Sequence, residues 1–413
     1  MTTYGAAGRL PDGATRLTGR READEDLLND TDALIAADPG MMLRAVASAG
    51  PQVRESLSRA ADANLGELAN EGRPRSVVVA GAGTAARAGD ILATVAGARS
   101  LVPVISHRSP GVPSWVGAAD VVLAVSASGR SPEAIAAAKA AVRRGARLVA
   151  VGAPDSELSS LAERARAPFV EVPRRAPARA SLWALTVPVL CAASSLGLIR
   201  LPEADLAETA TRLDNDAERC RPSADAFVNP AKALALDLAG SIPVIWGSSP
   251  LAAVAARRIA DMLSSNARYP AVAGELGEAN RGRVGLLDGV YGGLAEAGRD
   301  IFADPDDPES GSANGGSRLR VILLRDRGLA DDEQPDQGEP VAVELRRADA
   351  VQELAARRGV RVTVIEAEGA SAVERFASLV AIPDFASLYL ALAHGFDPMA
   401  VPAINEMKEL STP

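Results

Sequence analysis

Three hydroxyls and a glycine stand within six residues, Ser126-Ala127-Ser128-Gly129-Arg130-Ser131, directly after the apolar run 121–125. That spacing has the chemistry of an anion cradle. Ser131 is placed to cap a helix and Pro132 fits the first helical position, so the unbonded amides of the first turn would point at whatever Ser126 and Ser128 also touch. A phosphate suits this arrangement. Ordinary turn chemistry uses the same residue types, and the spacing alone leaves both readings open.

A second turn of this kind is Gly81-Ala82-Gly83-Thr84-Ala85-Ala86, which follows a short apolar run at 76–80. Gly81-x-Gly83-x-x-Ala86 also fits a loose dinucleotide fingerprint, and Arg108 could stand as an NADP selector. That would make the chain an NADP-dependent oxidoreductase. It is the weaker alternative, because no acidic residue ends the second strand to hold a ribose. No other cofactor is expected. Arg179 opens a long apolar stretch, where a guanidinium needs a carboxylate or a bound anion to offset burial.

The remaining reactive side chains are few. There are two histidines, His107 and His394, and three lysines, Lys139, Lys232 and Lys408. Both histidines read as structural or surface groups. Cys191 and Cys220 make neither a zinc nor a disulfide framework, so no metal is expected.

These residues need a scaffold to bring them together, and the hydropathy pattern supplies one. Apolar runs at 76–80, 100–105, 121–125 and 147–152 alternate with helical stretches and end in Gly/Ser turns, which predicts a doubly wound parallel sheet with its binding crevice at the carboxyl ends of the strands. The pattern then restarts. Asn229-Pro230-Ala231-Lys232 opens a helix, and 242–246 is a strand ending in a Gly247-Ser248-Ser249-Pro250 turn. A helix follows at 251–264. Further strands fall at 319–324 and 360–365, with helices at 349–358, 371–381 and 383–394. The chain therefore reads as two α/β domains, the second a pseudo-duplicate of the first.

The expected boundaries are a flexible leader at 1–25, a first domain at 26–200, a helical linker at 201–224 and a second domain at 225–413. Acidic, Gly- or Pro-rich stretches at 303–318 and 326–340 read as mobile loops. The apolar stretch 182–199 contains Thr186, Pro188, Ser194, Ser195 and Gly197, so it reads as a buried helix rather than a membrane span.

Composition narrows the class further. Of 413 residues 47 % are hydrophobic and only 3 % aromatic, so the cores must be built from Ala, Val and Leu. A net charge of −9 argues against nucleic acid and anionic membrane as partners. The N-terminus has no apolar core of signal-peptide length, and a cytoplasmic protein is expected.

Four segments together give a family resemblance: Ser126-Ala-Ser-Gly-Arg-Ser131; Pro177-Ala-Arg-Ala-Ser181; Asn229-Pro-Ala-Lys232 with Ile242-Pro-Val-Ile-Trp-Gly247; and Asp384-Phe-Ala-Ser-Leu-Tyr-Leu-Ala-Leu-Ala393 with Gly395-Phe-Asp-Pro398. Over about residues 26–413, the acidic loops excepted, the chain resembles the sugar isomerase (SIS) fold, and more narrowly the bifunctional phosphoglucose/phosphomannose isomerase family. The resemblance implies two SIS-type doubly wound αβα sandwich domains and a homodimer that binds a hexose phosphate. It places the sugar phosphate on Ser126, Ser128, Gly129 and Ser131, helped by Gly81, Gly83 and Thr84. Arg179 falls on the family's Pro-x-Arg motif, where the guanidinium stabilises an enediolate. Lys408 falls on the C-terminal lysine that assists ring opening.

The proton-transfer positions depart from the family pattern. Its Asn-Glu-Asn is Ser264-Ser265-Asn266 here, so the base position carries Ser265. Its Glu-Leu-Asn-His-Asn, whose histidine crosses a dimer interface, becomes Glu275-Leu-Gly-Glu278-Ala279 after a short deletion, and Asp-Pro-Thr-Pro becomes Asp397-Pro-Met399-Ala400. A serine without an activating base shuttles protons poorly at neutral pH. Glu275 or Glu278 is the candidate replacement. The expectation is thus a hexose 6-phosphate binding protein of isomerase descent, with a non-catalytic sensor, or partner of a sugar-phosphate enzyme, as the alternative.

Overall fold

The structure is a computed structural model that describes residues 22–98, 100–297, 319–328 and 335–411. The first half builds a sheet from β1 (Val77–Ala80), β2 (Val104–His107), β3 (Val121–Ser126), β4 (Arg147–Gly152) and β5 (Phe169–Glu171). All pairings are parallel, in the order β2-β1-β3-β4-β5. Every residue of β1 and β3 is buried, as expected of unbroken apolar runs covered on both faces. Ala80 lies beside Ala124, so the turns that follow β1 and β3 emerge next to each other.

The second half repeats the plan with β6 (Ile242–Gly247), β7 (Val272–Glu275), β8 (Leu319–Arg325) and β9 (Arg361–Glu366). Its order is β7-β6-β8-β9, again all parallel. Counted from each half's own first strand, both sheets run 2-1-3-4, and the first adds a fifth strand beyond the fourth. The duplication read from hydropathy is thus a duplication of topology.

One core joins the halves. The inner faces of both sheets and the helices Ala49–Asp62, Leu182–Ser195, Pro250–Ala267 and Ala372–Ala393 belong to a single apolar cluster, while the outer face of each sheet has a smaller cluster of its own. The helix Leu182–Ser195 is apolar all round and almost wholly buried, which is how a helix without a polar face comes to rest. The helix Glu203–Arg219 is amphipathic instead. Its Leu206, Thr209, Ala210 and Leu213 share one buried stripe, so this expected linker packs as a wall between Ala49–Asp62 and Ala372–Ala393.

Several expectations shift. The second strand begins at Val104 rather than at 100, because Pro103 has no amide to donate and instead accepts from Val77 N at 3.0 Å. The helices expected at 371–381 and 383–394 are one helix, Ala372–Ala393, which runs through Pro383. Burial on every side holds that helix together despite the proline. The same helix is long and apolar enough to cross a membrane, but 89 % of its apolar window is buried inside the protein.

The acidic stretch expected as a loop to residue 340 turns helical at Pro335, the start of Pro335–Arg357. Residues 1–21 of the expected leader and the stretch 303–318 lie outside the described residues. Strands β5 and β7, with three and four residues, escaped the hydropathy reading. So short a strand is defined only by the neighbour it pairs with.

Candidate functional site

In a doubly wound sheet, the crevice opens where neighbouring strands send their helices to opposite faces. Here that switch point lies between β1 and β3. The helix Thr84–Ala96 leaves β1 and the helix Pro132–Arg143 leaves β3, so the 81–84 and 126–131 turns present two helix N-termini to one crevice. These are the two turns singled out in the sequence.

The hydroxyls are arranged as acceptors toward the backbone. Ser126 Oγ accepts from Ser131 N at 3.2 Å, Ser128 Oγ from Arg130 N at 3.2 Å, and Ser131 Oγ caps the helix by accepting from Ala134 N at 3.4 Å. Among the described residues none of the three O–H groups donates to a protein acceptor, and a bound anion would use such donors. Two glycines keep the crevice open. Gly129 has φ +65°, and a Cβ on it would meet Ser156 Oγ at 2.0 Å; a Cβ on Gly81 would meet the Val125 carbonyl at 2.7 Å.

Gly83 caps the other helix, and Thr84 opens it half-buried. Arg174, which the sequence reading passed over, donates from Nη2 to the Ser128 carbonyl at 2.8 Å. It adds a cation to the rim of the turn.

Among the described residues Arg179 pairs with no carboxylate. Its Nε donates to Asn266 Oδ1 at 2.9 Å, and its Nη2 donates to the carbonyls of Pro398 and Met399 at 2.6 and 3.0 Å. Three neutral oxygens from distant segments hold its Nε and Nη2. Burial lowers its pKa, and the nearby Asp397 charge opposes that shift.

A further layer fixes Arg179. The Arg179 carbonyl accepts from Arg258 Nη2 at 2.7 Å, Arg258 pairs with Asp384 at 2.9 Å, and Asn266 Nδ2 donates to Ser387 Oγ at 2.9 Å. Arg258 and Asp384 are both nearly inaccessible, and burial pushes the Asp384 carboxyl up against the pull of Arg258. Asn266 and Asp384 stood in the family segments, but nothing local marked them as partners of Arg179.

The candidate proton-transfer groups are dispersed. Ser265 is half-buried, next to Asn266 on the same helix. Glu275 ends β7 exposed, with its charge near Arg257, a guanidinium lowered first by burial, with Arg87 and Arg108 adding to that effect. Glu278 is exposed and lines an open depression of about 730 Å³ with Arg281, Arg283, Leu286 and Val290. No residue of the serine turn lies on the wall of that depression.

The histidines stand apart from one another. His107 gives its backbone carbonyl to Gly81 N at 3.0 Å, and the His394 ring packs between Tyr269 and Phe396 at centroid distances of 5.7 and 6.2 Å. Lys408 belongs to the helix Pro402–Ser411, and its side chain lies outside the described residues. Arg108 is engaged by Asp90 at 2.6 and 2.8 Å, which removes the free cation that a 2′-phosphate would need. Among the described residues no group of three His, Cys, Asp or Glu side chains could hold a metal ion.

Residues 227–410 match the family described as the bacterial phospho-glucose isomerase C-terminal SIS domain. The chain is 27 % identical over 332 residues to a bifunctional phosphoglucose/phosphomannose isomerase of Caldicellulosiruptor bescii, covering 80 % of this chain and 88 % of that one. The second half thus matches that SIS domain, and over most of its length the chain resembles a bifunctional phosphoglucose/phosphomannose isomerase. A second bifunctional phosphoglucose/phosphomannose isomerase, from Aquifex aeolicus, is 24 % identical over 74 % of this chain and 81 % of its own. A hypothetical protein from Thermus thermophilus shares the fold, with a TM-score of 0.66, 14 % identity and 94 % of each chain covered. The likeness is to phosphosugar isomerases, on a chain built as two αβα units.

Proposed function

We propose that the chain binds a hexose 6-phosphate in the crevice between β1 and β3, with the phosphate on Ser126, Ser128, Gly129, Ser131, Gly81, Gly83 and Thr84. The observation that carries this reading is the pairing of two helix N-termini with three hydroxyls that donate to no acceptor among the described residues. Arg179 is held by the second domain beside Asn266, which suits a guanidinium that steadies developing negative charge rather than one that grips phosphate.

Aldose–ketose isomerisation moves a proton between C1 and C2 and needs a second acid or base to open the sugar ring. In this reading Glu275 or Glu278 carries the shuttle that Ser265 cannot, and Lys408 assists ring opening. Glu278 lies off the serine turn of its own chain, beside exposed Leu286 and Val290. That placement supports a homodimer in which Glu278 reaches the partner's sugar.

A second reading, a sugar-phosphate sensor without turnover, is favoured by Ser265, whose hydroxyl has no hydrogen-bonded base among the described residues to activate it. The experiment that divides them is calorimetric titration with glucose 6-phosphate, fructose 6-phosphate and mannose 6-phosphate, followed by NMR detection of solvent exchange at C2. Binding with exchange makes the protein an isomerase. Binding without exchange makes it a sensor, and binding of NADP alone overturns both.

A further inference from the structure

The second sheet has a switch point of its own. It lies between the carboxyl ends of β6 and β8, from which the helices Pro250–Ala267 and Pro335–Arg357 depart. By topology this is the counterpart of the crevice between β1 and β3. It also carries hydroxyls at a helix N-terminus, because Ser249 Oγ caps Pro250–Ala267 by accepting from Ala252 N at 3.1 Å.

The second crevice already holds an anion. Asp326, the first residue after β8, is only 5 % exposed. Its Oδ2 accepts from Ser249 Oγ at 2.8 Å, and its Oδ1 accepts from Arg375 Nε at 2.9 Å and from Gly328 N at 3.1 Å. Its own amide donates to Ser248 Oγ at 2.9 Å, which fixes the backbone beneath the carboxylate. A hydroxyl, a guanidinium and a backbone amide around one carboxylate form the donor set that holds a phosphate oxygen. The Arg375 side chain is itself only 12 % exposed, so the pair is largely shielded from water.

We propose that the β6/β8 crevice is a second oxyanion site of the same construction, filled by the chain's own carboxylate. Asp326 is its tethered ligand. A duplicated fold with two such crevices therefore takes up one phosphosugar per chain, in the first domain. The occupied crevice has a structural task instead: Arg375 sits in the first turn of Ala372–Ala393, and later turns of that helix carry Asp384 and Ser387 to the Arg179 layer. Pinning one end of the helix to Asp326 sets the position of the other.

The test counts inorganic phosphate bound per chain, by equilibrium dialysis, for the wild type, Asp326→Ala and Asp326→Ala/Arg375→Ala. Removing the carboxylate is expected to add one phosphate equivalent relative to wild type and to raise the thermal midpoint more in phosphate than in chloride of equal ionic strength. The added equivalent should vanish in the double variant. If Asp326→Ala is unfolded in chloride, refolding by phosphate supports the proposal. Failure of both Asp326→Ala and the milder Asp326→Ser to bind extra phosphate, or to be refolded by it, overturns it. If the first-domain phosphate reading fails, both counts fall by one and the difference between them stands.

Discussion

Ser126 serves the turn and the proposed site with one atom: its Oγ accepts the Ser131 amide, which shapes the turn, and in the proposed complex its O–H donates to the phosphate. Ser126→Ala is expected to weaken hexose 6-phosphate binding about 10- to 100-fold, since a hydrogen bond to a charged group is worth about 1.5–3 kcal/mol. Titration calorimetry reads the loss, and unchanged affinity would remove the serine turn from the site. Gly129 is a different kind of requirement, because both its φ of +65° and the 2.0 Å approach of Ser156 Oγ to any Cβ reserve the position for glycine. The serine spacing and this glycine were legible in the sequence because a cap and a tight turn are settled within a few residues. The partners of Arg179 were not. Asn266 and Met399 lie 87 and 220 residues away along the chain, and a carbonyl that accepts from a guanidinium has no residue type of its own.

Among the elements, β3 depends on a buried carboxylate at its entrance. Asp120 precedes the strand and accepts from Ser76 Oγ at 2.8 Å, Gly117 N at 2.8 Å and Arg75 Nε at 3.0 Å. Burial by itself would raise its pKa, but Arg75, Gly117 and Ser76 together hold it below the usual carboxylate range. A depressed folded-state pKa contributes stability that is present above the unfolded value of about 3.9 and is lost as pH falls through the folded value. Asp120→Asn should therefore flatten the acid limb of a urea-midpoint profile below about pH 4, with the wild type and the variant converging at the lowest pH. A parallel acid limb in the variant would mean that Asp120 carries none of this linkage.

Hydropathy has a limit at short edge strands. It marks β1, β3, β4, β6, β8 and β9, all rich in Val, Ile or Leu, and β2 with its start displaced, but not β5 and β7 at the sheet edges, whose three or four residues carry too little pattern.

At the scale of the whole molecule, the halves share one core, and Arg87 links them by pairing with Asp261 at 2.8 Å as well as with Asp90. The proposed dimer rests on a face beyond that core. Val290 and Leu294 are 69 % and 59 % exposed close to the depression lined by Glu278. Val290→Asp with Leu294→Asp should shift sedimentation from dimer to monomer while the monomer stays folded by circular dichroism, because both side chains are largely exposed on the chain's own surface. A wild type that sediments as a monomer would end the proposal that Glu278 acts across an interface.

The sequence by itself determined the two doubly wound sheets, the repetition of one by the other and the two turns at the first switch point. Strand periodicity, helix caps and glycine turns act over a few residues, and the parallel sheet then has one favoured way to wind. Only the tertiary structure decided that Arg179 is clamped by neutral oxygens, that Glu278 stands off the serine turn, and that Asp326 fills the second crevice. Each of those outcomes depends on side chains brought together by packing across both domains. Local propensity does not encode which distant oxygen a buried cation will meet.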